Sequence, residues 1–298
     1  MEFFGKTLSG PFTIPSGIVT TATPIIQYIF DHLPEVGVVT TKSIGLEPRE
    51  GNREPVYSQY APGCFVNAVG LTNPGAHQSL ALLAALNIPK DRFLLTSIFG
   101  GSIEEFVTVA KILAPVSDGL ELNLSCPHAK GYGMAMGQDP DLVRQITAAV
   151  KAVVDIPVIP KLTPNTPDIA KIAGAAIAGG ADGLCAINTA GPGYTSSHGY
   201  PVLTNGAGGM SGKGVLPIGL QCVRDIAAVT DCPIIGCGGV SSAADVRAYF
   251  DAGASVIGVG SSLTGLTTDE VSAYFKALSK DLDTDNNRAE SHIRYDID

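Results

Sequence analysis

The sequence predicts an α/β fold of the (β/α)8 TIM-barrel type, and three observations predict it. Short β-branched runs ending in Gly, Ser, Thr or Asn alternate with longer Ala/Leu-rich stretches of helical period, the rhythm of repeated βα units. Eight such units fit into one chain of 298 residues, the size a barrel of this kind needs. No G-x-G-x-x-G follows the first strand, where the competing doubly wound sheet would carry its dinucleotide fingerprint.

In chain order the strands are "FTIPSG" (12–17), "VGVVTTKS" (36–43), "RFLLTSIFG" (92–100), "DGLELNLS" (118–125), "PVIPKLT" (157–163), "DGLCAINT" (182–189), "CPIIGCGG" (232–239) and "SVIGVGSS" (255–262). Helices are expected between and after them at 22–32, 74–86, 102–113, 139–153, 167–179, 215–229, 242–252 and 268–281. Ser102 with Glu105 resembles a capping box at the start of the third, and Pro140 stands where a first helical turn tolerates it. Two connections exceed what a plain barrel needs, 46–73 after the second strand and 190–214 after the sixth. Both leave the face formed by the C-terminal strand ends, so they are read as lid loops or substrate walls. With no linker and no break in composition, residues 1–285 are expected to form a single domain, followed by a polar C-terminal tail over 286–298.

Hydrophobic residues make up 45% of the chain and charged residues 16%, enough apolar surface for a sizeable core and too little charge for disorder. The formal net charge of -9 comes with no basic stripe, which argues against a nucleic-acid partner. The start carries no basic n-region before a long apolar stretch, and no window approaches the roughly 18 apolar residues of a membrane span. A cytoplasmic protein with no membrane attachment is expected. The six cysteines, Cys64, Cys126, Cys185, Cys222, Cys232 and Cys237, include no CxxC pair and no histidine at metal spacing. Free thiols are therefore expected, with no metal site. Most read as small buried hydrophobes; Cys126 is set apart below.

In a barrel of this type the strand ends face the pocket. They read Ser16 and Gly17, Lys42 and Ser43, Asn123, Ser125 and Cys126, Lys161, Asn188 and Thr189, Gly238 and Gly239, Gly260 and Ser261. Two lysines, two asparagines and a cysteine at one mouth are costly as structure alone, because buried polar groups must be paired. A planar ligand rich in carbonyls and ring nitrogens would pair them. The seventh and eighth units each put glycines where a strand turns toward a helix, an arrangement that suits either a tight turn or a phosphate at a helix N-terminus. Lys161 reads either as a salt-bridged mouth lysine or, beside a phosphate site, as a cation for the N1/O2 edge of a flavin, so that FMN fits better than NAD. Cys126, between a strand end and the Gly-rich "AKGYGMAMG", reads as a general acid/base in a site that can be closed, with an inert barrel cysteine as the plain alternative.

The motifs "TKSIGLEPREGN" (41–52), "NAVGLTNPG" (67–75), "NLSCP" (123–127), "KLTPN" (161–165), "NT" (188–189), "GGMSG" (208–212), "GCGG" (236–239) and "GVGSS" (258–262) resemble, in order, those of the class 1 dihydroorotate dehydrogenases. The resemblance reaches to about residue 285, and "NAVGLTNPG" and "GGMSG" are more similar to the NAD-linked class 1B than to the fumarate-using class. It implies FMN-dependent oxidation of dihydroorotate to orotate in pyrimidine biosynthesis. By that resemblance Cys126 is the base that takes a proton from C5 while hydride passes from C6 to flavin N5, and Lys42 contacts both substrate and flavin. Asn67 and the segment Ala68, Val69, Gly70 and Leu71 would hold the pyrimidine and its carboxylate, with Asn123, Asn188 and Thr189 completing the ring contacts. Ser16, Gly17, Ser43, Asn123, Lys161, Ile187, Gly212, Gly238, Gly239, Gly260 and Ser261 match flavin-binding positions.

Two departures stand out. His128 occupies the place of the family's usual Asn after "SCP", and Ser97-Ile98 stands where the family has a flavin-contacting Asn. Both are similar to dihydropyrimidine dehydrogenase, which makes reduction of uracil or thymine the alternative; a catalytically silent barrel that binds FMN or a phosphorylated metabolite is a third. The class 1B resemblance also implies a homodimer and a separate electron-transfer subunit carrying FAD and a [2Fe–2S] cluster, since this chain has neither a nucleotide fingerprint nor cluster spacing.

Overall fold

The computed structural model describes residues 1–124 and 136–293, with side chains described to Leu282. Eight parallel strands close on themselves: β1 (Phe12–Ile14), β2 (Val38–Thr40), β3 (Phe93–Ile98), β4 (Gly119–Asn123), β5 (Val158–Leu162), β6 (Leu184–Ala186), β7 (Ile234–Cys237) and β8 (Val256–Gly258). Each pairs with the next, and Gly258 of β8 meets Thr13 of β1 to complete the cylinder. The ladders among the described residues are shorter than the expected runs, at both ends for every strand but β1. After β1, for example, Pro15 has no N–H to donate and Gly17 adopts φ 84°.

Helices α1 (Thr23–His32), α2 (Ala76–Ala84), α3 (Ile103–Leu113), α4 (Pro140–Lys151), α5 (Ile169–Ala178), α6 (Leu216–Ala227), α7 (Ala243–Asp251) and α8 (Thr268–Ile293) surround the strands. Ser102 caps α3 by accepting from the Glu105 N–H, while the Glu105 carboxylate accepts from Gly101 rather than from Ser102. Pro140 opens α4 behind Asp139, whose carboxylate accepts from Asp141 and Leu142. α8 continues well past the residue-281 end expected for it. None of the described helices is long and apolar enough to cross a membrane.

Alternation along the strands divides the core in two. On β3, Leu94 and Ile98 point outward into a large cluster with Phe106, Val109 and Ile146 of the helices. Phe93 and Leu95 point inward, where they pack with Val38, Ile159, Ile235 and Val256. The bottom of this inner core is closed by a hairpin the sequence reading did not find, Glu2–Phe3 paired with Lys6–Thr7. Its turn puts Phe4 and Gly5 at φ 46° and 80°, and Phe3 meets Phe93 edge-on with ring centroids 5.2 Å apart.

The two long connections form one structure over the opposite end. Strands 57–61 and 64–67 from the first, and 190–194 and 207–212 from the second, make an antiparallel sheet. Its central pairing sets Asn67 opposite Gly209 and Cys64 opposite Gly212. Thr204 ties the loops together again, its hydroxyl donating to Glu54 O and its N–H to Pro55 O.

Candidate functional site

The lid sheet and the strand ends enclose a cavity of about 630 Å³, within the size range of small-molecule and cofactor sites. Ser16, Gly17, Lys42, Ser43, Asn123 and Lys161 line it from the first five strands. Ile187, Asn188, Thr189, Gly238, Gly239, Gly260 and Ser261 line it from the last three. The lid contributes Asn67, Ala68, Val69, Gly70 and Leu71. Gly212 lies just behind the wall, its carbonyl 2.9 Å from where a Cβ on Gly239 would sit. Cys126, Ser125 and His128 lie outside the described residues.

These side chains hold one another in a belt of hydrogen bonds. Ser43 Oγ is 2.9 Å from both Ser16 Oγ and Ser97 Oγ, and accepts from Asn123 Nδ2 at 3.0 Å. Asn123 Oδ1 in turn accepts from Asn188 Nδ2 at 3.2 Å, and Asn188 Oδ1 accepts from the Thr189 N–H at 2.8 Å. Asn165 closes the run, donating to Thr189 O at 3.2 Å and accepting from Gly191 N at 2.8 Å. Amides so fixed present defined donors and acceptors to a planar ligand at little further entropic cost. Of the pair Ser97-Ile98, only Ser97 joins this belt, because Ile98 points outward into the strand–helix core.

Two lysines face the cavity in different electrostatic settings. Lys42 loses water on burial and feels the Lys161 charge, and both hold its pKa below the usual lysine value. For Lys161 burial acts in the same direction, yet Glu121 overrides it and the net pKa lies above the ordinary lysine value. Lys161 Nζ stands 3.7 Å from Glu121 Oε2, with both side chains almost wholly buried. Cys185 and Cys237 complete that inner layer; the Cys185 thiol is raised by its hydrogen bond with Cys237 and by burial.

The turn after β7 was expected to offer an anion the N-terminus of the following helix, and that part of the expectation needs correction. The start of α7 is already closed by a capping box between Ser242 and Asp245, and Asp245 Oδ2 also accepts from the N–H and hydroxyl of Ser241. A carboxylate sits where a phosphate was pictured. The glycine turn itself remains a cradle. Gly238 and Gly239 have φ 130° and 77°, and a Cβ on Gly239 would lie 2.8 Å from the Leu216 nitrogen. Tyr249 Oη donates to Gly238 O at 2.8 Å, and Ser262 Oγ donates to Val240 O at 2.6 Å, binding this turn to the one after β8. The backbone of these two turns, rather than the helix, fits a phosphate.

Arg49, Asn52, Gln138 and Asn165 also line the cavity and were not singled out in the sequence reading. Arg49 and Asn52 sit inside "EPREGN" and Asn165 ends "KLTPN", so for these three the signal was a polar side chain within a motif already marked, whereas Gln138 lies outside every marked motif.

Residues 1–281 match the family model described as dihydroorotate dehydrogenase. The dihydroorotate dehydrogenase B (NAD(+)) catalytic subunit of Pyrococcus horikoshii is 44% identical over 268 residues, covering 88% of this chain and 86% of that protein. Those of Methanocella arvoryzae and Methanocaldococcus jannaschii are 44% identical over 263 residues (87% and 85% covered) and 45% over 229 residues (76% and 74%).

Proposed function

The chain belongs to the dihydroorotate dehydrogenase family and groups with the class 1B catalytic subunits; from that premise we propose that it oxidises dihydroorotate to orotate in pyrimidine synthesis. The observation that carries the reading is the convergence of Lys42, Asn67, Asn123, Asn188 and Thr189 on one cavity floored by Lys161 and edged by two glycine turns.

Membership of the family implies a flavin, and FMN suits the cavity's chemistry. Gly238, Gly239, Gly260 and Ser261 would hold its phosphate, with Gly212 backing the turn. Ser16, Gly17, Ser43, Asn123 and Ile187 would frame the ring, and Lys161 would face the ring edge where negative charge gathers on reduction. When bound, FMN supplies the hydride acceptor. The rest falls to the chain's own side chains. Asn67, Asn123 and Asn188 pair with the imide edge of the pyrimidine together with Thr189, and Lys42 and the backbone from Ala68 to Leu71 hold its carboxylate. Cys126 takes the C5 proton as general base. The lid sheet excludes water from this transfer.

The relatives' designation as catalytic subunits supports a separate electron-transfer subunit, to which we assign FAD and a [2Fe–2S] cluster. A cytoplasmic homodimer of single-domain chains, with 286–298 as a polar tail, completes the reading. Anaerobic addition of dihydroorotate to the purified flavoprotein tests it. The flavin's visible band is expected to bleach with dihydroorotate and to stay unchanged with dihydrouracil. A colourless protein, or bleaching by dihydrouracil alone, would overturn it.

A further inference from the structure

Glu121 is a carboxylate inside the barrel, 1% exposed, one layer below Asn123 on β4. Nothing in the reaction above uses it. Its Oε2 stands 3.7 Å from Lys161 Nζ, and its Oε1 is buried with no hydrogen-bond partner among the described residues. A buried carboxylate so sparsely bonded carries a heavy desolvation cost and is a poor device for stability alone. Lys161 lines the cavity floor from the neighbouring strand, and Glu121 does not reach the cavity.

We propose that Glu121 is a positioning residue, whose carboxylate keeps the Lys161 ammonium charged inside the barrel so that a fixed positive charge faces the cavity floor. Among the described residues the groups facing Lys161 are few: Glu121 from β4, Cys185 from β6, Cys237 from β7 and Lys42 from the end of β2. Cys185 is held neutral by its hydrogen bond with Cys237 and by burial; Cys237, though lowered by that same bond, donates its S–H to Ile187 O at 3.3 Å and so carries its proton; and Lys42 is a like charge, so Glu121 alone supplies a full opposite charge among these neighbours. Without it, burial favours the neutral amine. With it, Lys42 and Lys161 set two ammonium groups against one buried carboxylate, and Arg49 of the lid adds a third cation to the cavity wall. The net positive charge suits an anionic ligand above it.

The flavin part of the test rests on the function proposed above, whereas the charge-holding part does not. Glu121→Gln preserves shape and removes charge. In the wild type Lys161 is protonated in folded and unfolded chains alike up to the ordinary lysine range. In Glu121→Gln the folded state sheds this proton at lower pH while the unfolded chain keeps it, so folding stability from this group rises with pH. The stability deficit of Glu121→Gln against wild type, by urea unfolding, is expected to narrow between about pH 6 and about pH 9. In Glu121→Gln/Lys161→Met that dependence disappears. A deficit independent of pH would overturn the proposal. Over the same range the flavin reduction potential of Glu121→Gln is expected to fall progressively below that of wild type; parallel curves would count equally against it. Should Glu121→Gln fail to fold, recovery of the fold by the double variant supports the proposal and its failure contradicts it. A wild type without flavin would remove the function proposed above, while the unfolding comparison would still decide the role of Glu121.

Discussion

Along β3 the inward residues are Phe93, Leu95 and then Ser97; on β5 they are Ile159 and then Lys161. One two-residue step carries the barrel interior from hydrocarbon to a belt of hydroxyls, amides and ammonium groups. Below that step the N-terminal hairpin seals the cylinder with Phe3, and above it the lid sheet leaves a cavity. The lower half supplies stability by burial. The upper half holds polar groups in fixed places, at a cost in desolvation that the lower half offsets.

The sharpest way to break this division is to cut the same strand system on either side of the step. Phe93→Ala should cost about 3–5 kcal/mol of folding stability by urea unfolding, while the KM for dihydroorotate of the remaining folded protein stays unchanged. A variant that unfolded normally but bound substrate poorly would show that the lower half shapes the site. Asn123→Ala, on the other side, should lower kcat/KM by about 2–3 kcal/mol, near a hundredfold, with at most about 1 kcal/mol lost in stability. The reverse pattern would place Asn123 in the scaffold.

The two lysines sharpen the comparison within the upper half. Lys42 has its pKa lowered, so on raising the pH it loses its charge before an ordinary lysine does, and before Lys161. Folding stability from Lys42 rises with pH in that window, because the unfolded chain then binds the extra proton. The hold on an anionic substrate proposed for it would weaken at the same time. The KM for dihydroorotate should therefore climb several-fold at pH values below the ordinary lysine range of about 10.4, and Lys42→Arg, which stays charged, should flatten that climb. The same climb in the arginine variant would remove Lys42 as its source. The smallest effect is expected from Tyr249→Phe, which deletes the donor to Gly238 O. It should cost about 1 kcal/mol of stability and weaken FMN binding a few-fold in equilibrium titration. Unchanged FMN affinity would detach the glycine turn from the phosphate.

Much of the upper half was legible in the sequence because barrel strand ends are local features. A polar residue closing a β-branched run announces a mouth position without any knowledge of its neighbours, as with Lys42, Asn123 and Asn188. What was not legible depends on contacts between distant segments. The lid sheet pairs 64–67 with 207–212, more than a hundred residues apart, and neither stretch alone reads as a strand. The bottom hairpin has strands of two residues each, too short for any periodicity. Asp245 was part of a plain helix start by sequence, and only its bonds to Ser241 and Ser242 show that the α7 terminus is already occupied. Glu121 read as one position in a buried strand until the register placed its neighbour Asn123 beside Lys161.

A crystal structure of the protein with FMN and orotate tests the central claim most directly. The account predicts the phosphate on the Gly238–Gly239 and Gly260–Ser261 turns, the isoalloxazine edge against Lys161, and orotate between the ring and the segment from Asn67 to Leu71. Phosphate density elsewhere, or an orotate whose carboxylate points away from Lys42, would contradict it.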